Sequence, residues 1–106
     1  MYKFFDKEFE YRYGIFKYEG SLLPNIKLSI GEYVIDDYPI ETYSIIDEAK
    51  TALKFNYAQN VNKKLCGKYI DYVIYYIADA DNFGKIVAML DFEGDVIDIG
   101  ERGIVV

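Results

Sequence analysis

The chain has no histidine and no tryptophan, and only one cysteine, two prolines and two arginines among 106 residues. The missing histidine removes the usual general base and the commonest metal ligand at neutral pH. Ser-His and Cys-His nucleophile pairs go with it. The lone Cys66 rules out an internal disulfide and a tetracysteine zinc site, which fits a cytoplasmic setting. Its neighbours Lys63, Lys64 and Lys68 would lower its thiol pKa if it were exposed, but a single cysteine is more often a small packing residue. No glycine-rich loop precedes a helix, and Arg12 and Arg102 are the only arginines that could clamp a phosphate. The acid pairs Asp36/Asp37 and Asp79/Asp81 have the chemistry of a glycosidase, yet loop acids so close in sequence are usually solvated, and a chain this short rarely encloses a sugar cleft. No apolar run approaches the roughly 18–20 residues that span a bilayer, and the opening MYKFFDKEFEYRYG lacks the apolar core of a signal peptide. The expectation is therefore a non-enzymatic protein with no cofactor, no bound metal and no membrane association.

What is present argues for a folded unit. Hydrophobic residues make up 52% and aromatics 18%, enough apolar surface to offset ordering entropy, and the length suits one domain spanning residues 1–106. The net charge of −6 is unevenly spread. Residues 1–26 are neutral, 27–48 carry −5, 49–70 carry +5 from five lysines with no acid, and 71–106 carry −6. A basic middle between acidic segments hints at a partner, although acidity for solubility is the simpler reading of the sum.

Alternation in F-E-Y-R-Y, Phe9 to Tyr13, predicts a strand, and the parity shift to Phe16 and Tyr18 predicts a bulge or tight turn at Gly14. Ile26, Leu28 and Ile30 alternate with polar residues and suggest a further strand, running on toward Tyr33–Ile35 and broken by Asp36-Asp37-Tyr38-Pro39. Ser44 then reads as an N-cap, with Asp47 and Glu48 at the positive end of a helix dipole. Ile45, Ile46, Ala49, Ala52, Leu53, Tyr57, Val61 and Leu65 form one stripe at helical spacing, with Gly67 placed as a C-terminal glycine. This allows one helix over 44–66, or a break near 56–60 where Asn56, Asn60 and Asn62 weaken it.

From Lys68 onward YIDYVIYYIA, KIVAMLDF and DVIDI form a three-stranded meander whose continuous apolar runs imply burial on both faces, or an interface on one. Between the first two runs stands ADADNFG. With Asp79 as position 1 of a calcium loop, position 5 is Phe83 and position 12 is Leu90, so the essential ligands are missing and the stretch reads as a hairpin loop. The whole predicts an α+β domain: an antiparallel sheet of five or six strands with one principal helix packed on one face, ordered β-β-β-α-β-β-β.

Twelve tyrosines are the most unusual feature. They serve as half-buried strand residues whose hydroxyls reach water, or as rigid amphipathic contacts at an interface. The second reading nominates Tyr72, Tyr75 and Tyr76 as anchors, within an acidic edge of Asp71, Asp79, Asp81, Asp91, Glu93, Asp95 and Asp98, meeting a protein partner with a basic surface. The negative charge disfavours direct nucleic-acid binding. In composition alone the chain resembles small, acidic, tyrosine-rich phage or mobile-element proteins that block host defence nucleases, such as anti-CRISPR proteins. An immunity protein that neutralises a toxin domain would use the same physics. The rivals are a small-ligand-binding module and a self-assembling one, with a second copy of the chain as partner.

Overall fold

The computed structural model describes residues 1–26, 29–30, 33–34, 38–99 and 104–105. Its elements are β1 (Tyr2–Phe4), β2 (Lys7–Phe9), β3 (Tyr13–Leu22), β4 (Ser29–Ile30), β5 (Glu41–Tyr43), α1 (Ile46–Ala52), β6 (Asn62–Cys66), β7 (Tyr69–Asp79), β8 (Lys85–Leu90), β9 (Val96–Asp98) and β10 (Ile104–Val105). Helix α1 runs on through a π turn, Leu53–Tyr57, and a 3₁₀ turn, Ala58–Asn60. The architecture is α+β, with one principal helix on a curled antiparallel sheet, as the pattern predicts. Of the strand expected over 26–35, Ser29–Ile30 is β4; Lys27, Leu28, Gly31, Glu32, Ile35, the Asp36–Asp37 pair and Arg102 lie outside the described residues.

The six-stranded sheet has the order β5-β3-β7-β8-β9, with β6 also paired to β7. β3 lies along one edge of β7 from Leu22↔Ile70 to Tyr13↔Asp79, while β6 and β8 share the other edge. Alternate residues of β7 therefore fill two cores. Tyr72, Ile74, Tyr76 and Ala78 join Phe4, Phe16, Ile86 and Met89 on one face. Tyr75 and Ile77 join Ile15, Ala49, Ala52, Leu53, Ala88 and Leu90 beneath the helix. The continuous apolar runs mean burial on both faces.

The face away from the helix is covered by the β1–β2 hairpin. Phe4 sits edge-on to Phe16 at 5.2 Å, and Phe16 stacks on Tyr76 at 5.5 Å. The bulge lies elsewhere than predicted. β3 passes through Gly14 in unbroken register, whereas Ile77↔Ala88 and Ala78↔Ile86 leave Val87 extra on β8. That insertion turns Ile86 to one core and Ala88 to the other, and the Ile99 amide donates to the freed Val87 carbonyl at 3.1 Å. Glycine is needed at position 14 for space, since a Cβ there would lie 2.8 Å from Pro39 Cβ and 3.0 Å from Phe4 Cζ. The strand expected over Phe9–Tyr13 is broken by bends at 10–12, which separate β2 from β3.

The helix is shorter than the long alternative. Ile45, in extended backbone and without a side-chain bond, occupies the cap position expected of Ser44. Asp47 and Glu48 do fall in the first turn. The end near 56–60 is the break the asparagines favour, and Val61 is extended. Lys63, Lys64 and Leu65 belong to β6, because pairing with Tyr69–Val73 satisfies their backbone groups. Gly67, at φ 61°, opens the two-residue β6–β7 turn instead of ending a helix.

Gly14→Ala is expected to destabilise the fold by about 1–3 kcal/mol through overpacking against Pro39 and Phe4. Urea unfolding, with the midpoint falling at constant slope, measures it.

Candidate partner-binding end

The loop between β7 and β8 is a 3₁₀ turn, Ala80–Asn82, capped by the Asp79 carboxylate, whose Oδ1 accepts the Asp81 amide at 3.0 Å. Asp79 is 5% exposed and clamped from the bend before β3. Arg12 Nε donates to Oδ1 at 2.7 Å and its second terminal nitrogen to Oδ2 at 2.8 Å, the bidentate geometry that suits guanidinium to carboxylate. The Arg12 carbonyl accepts the Ala80 amide at 3.0 Å, and the Asp79 carbonyl accepts the Gly84 amide at 2.9 Å. Arg12 is driven above its ordinary pKa, first by the Asp79 hydrogen bond. The stretch that resembles half a calcium loop is a turn between strands, with both Asp79 oxygens engaged by a side-chain cation.

What this turn presents is Phe83. It adopts the left-handed conformation at φ 57°, followed by Gly84 at φ 76°, and its side chain is 90% exposed. The β1–β2 turn does the same with Phe5, at φ 58° and 49% exposed. A bulky residue held there costs about 1–2 kcal/mol. These are the two non-glycine residues with positive φ among the described residues. The two phenylalanines flank one hollow of about 430 Å³, lined also by Lys3, Phe4, Val34, Ala80 and Gly84. A Cβ on Gly84 would lie 2.7 Å from Val34 Cγ1, so this wall closes only around glycine.

The nominated surface residues divide. Tyr72, Tyr75 and Tyr76 are buried, which corrects their expected role as exposed anchors: β7 is the central strand and both its faces are covered. Tyr72 stacks on Tyr18, and burial, then the Tyr18 hydroxyl, push its phenol up to about 12. Asp79 is likewise enclosed and is no part of an open acidic edge.

Two other acids are paired with lysines from the helical segment, Asp98 with Lys50 at 2.6 Å and Asp95 with Lys54 at 3.0 Å. The basic middle and the acidic end of the chain thus close partly on each other. Asp91, Glu93 and Asp95 bring carboxylate oxygens within 4.8 Å of one another, a spacing that could hold a cation. Asp91 Oδ1 already accepts the Glu93 and Asp95 amides at 2.9 Å, which accounts for the cluster as a turn. Asp71 is exposed; it accepts from the Ser21 hydroxyl and then the Cys66 thiol, which hold its carboxyl below the usual range. The Cys66 thiol is pushed up by that bond to Asp71, reversing the effect expected of the lysines. Asp81 and Glu93 remain exposed.

The clamp of Arg12 on Asp79 and the exposed positions of Phe5 and Phe83 were not read from the sequence. The available signal was an apolar residue inside a polar turn, Phe83 between Asn82 and Gly84. Compared with known proteins, the chain matches no family model, no curated protein and no solved structure.

Asp79→Ala should cost about 2–3 kcal/mol, because it strands the Arg12 guanidinium and the Asp81 amide. Asp81→Ala should stay within about 0.5 kcal/mol, as exposed substitutions usually do. Denaturant midpoints of the two variants separate these roles.

The tyrosines set a second expectation. Unfolded phenols ionise near ~10, whereas Tyr72 ionises near 12 in the fold. Between these values the unfolded chain has lost a proton that the folded chain keeps. Stability is therefore full below about pH 10 and falls as pH rises toward 12. Phenolate absorbance should show a late-titrating class, and Tyr72→Phe should remove part of it.

Proposed function

We propose that the protein is a non-catalytic module that captures a partner protein at its phenylalanine-tipped end. The observation that carries this reading is Phe83: an aromatic ring 90% exposed, on a left-handed residue, with no packing role. Backbone strain persists where the surrounding structure over-determines it, and it clusters at binding sites. Exposed aromatic anchors contribute much of the energy at protein interfaces. The net charge of −6 selects a partner with a basic surface and steers its approach. Covering such a surface would inhibit whatever it binds. Where that surface normally holds nucleic acid, the protein acts as its mimic, the mode of an anti-defence inhibitor; a toxin domain as partner makes it an immunity protein.

The runner-up is a small-ligand module, favoured by the hollow of about 430 Å³ between Phe5 and Phe83. Salt separates the two, because a charge-steered partner loses association rate by about ten-fold or more at high salt and an apolar ligand does not.

Phe83→Asn gives the decisive comparison. Asparagine tolerates the left-handed backbone, so the variant should melt at the same temperature or higher. Co-purification from the native host with stepwise salt elution, after nuclease treatment, should recover a basic protein on the natural chain and lose it on the variant. Equal recovery on both, or no partner on either, would refute the proposal.

A further inference from the structure

A second surface, where the flank of α1 meets the edge strand β5, is built differently. Tyr43, Asp47, Glu48, Thr51, Ala52, Phe55 and Asn56 line an open groove of about 500 Å³. Its apolar prominence is Phe55, 79% exposed on the π turn Leu53–Tyr57. That wide turn seats Leu53 in the core and the Tyr57 ring 4.9 Å from Tyr75, while Phe55 is left outside. Single π turns inside helices occur frequently at functional sites.

The charge on this helix is split between its flanks. Lys50 and Lys54, one turn apart, are drawn to Asp98 and Asp95. Asp47 and Glu48 stand on the groove side, and among the described residues no cation pairs with either. Glu41 adds to the same negative field, accepting the Tyr43 hydroxyl at 3.0 Å. The Tyr43 phenol is raised by burial first, then by Glu41 and Glu48. An apolar floor with an acidic rim and no cation of its own complements one kind of guest.

We propose that this groove takes a segment of a protein partner in which a lysine or arginine stands beside a large apolar side chain. The cation meets Asp47 and Glu48, and the apolar group packs between Phe55, Ala52 and the Tyr43 ring. The inference rests on the reading of a basic protein partner and names the chemistry of its contact segment.

A short peptide alternating lysine with leucine and phenylalanine is the probe, titrated into the isotope-labelled full chain. The expected result is saturable movement of the Asp47–Asn56 amides, absent when glutamate replaces lysine in the peptide. Glu48→Lys combined with Asp47→Lys should weaken binding by about ten-fold, and Phe55→Ser should weaken it with an unchanged melting temperature. Should the double reversal unfold the helix, Glu48→Gln gives the same direction in a smaller step. No saturable movement, movement elsewhere, or equal binding of the glutamate peptide overturns the inference. Phe83→Asn must leave peptide binding intact. In the host co-purification, loss of the partner with Phe83→Asn but not with Phe55→Ser refutes the groove and leaves the binding module standing.

Discussion

Everything in this fold is arranged around β7, an eleven-residue strand that must fill two cores at once. Its alternate side chains face opposite ways, so each face needs its own cover. The helix covers one face with the small residues Ala49 and Ala52, which let its backbone come close, and with Leu53. The β1–β2 hairpin covers the other with Phe4, which locks against Phe16 and, through it, Tyr76. A six-stranded sheet gains lateral support from β3 along the whole strand and from β6 and β8 in turn. The bulge at Val87 belongs to the same constraint, because it lets β8 supply Ile86 to one core and Ala88 to the other.

The end of β7 carries this order out to the surface. Asp79 is the last residue of the strand, the cap of the following turn and the acceptor for Arg12, so one carboxylate fixes the geometry of two loops. A turn held that firmly can keep Phe83 in a left-handed conformation. The same economy governs charge. Lys50 and Lys54 are spent on Asp98 and Asp95, and the consequence is felt on the opposite flank of α1, where Asp47 and Glu48 face the groove. The exposed geometry at both places follows from stabilising interactions a few residues away.

Continuous runs of apolar, β-branched and aromatic residues separated by turn residues made the C-terminal meander legible, and Ala49, Ala52 and Leu53 announced the buried face of the helix. The ADADNFG turn was legible too, because its residues are wrong for calcium and right for a hairpin. Gly14 misled, since a glycine demanded by crowding looks the same in sequence as one demanded by a bend. The segment 62–66 misled in another way: helical spacing continues through Val61 and Leu65, but a strand partner at Tyr69–Val73 overrides weak local preference. Of the proposed surface, the acids Asp71, Asp81, Glu93, Asp95 and Asp98 lie exposed, while Asp79 and the tyrosines nominated with them turned out to be core.

The sequence by itself determined the class of fold, the approximate order of strands and helix, and which side-chain types are missing, because periodicity and composition are local properties. Only the tertiary structure decided which aromatics are core and which are tips, and which acids keep their charge unpaired. Those outcomes depend on residues far apart in the chain, as with Arg12 and Asp79 or Phe4 and Tyr76. A tyrosine on a strand looks the same in sequence whether water or a phenylalanine covers it; what covers it is fixed by packing.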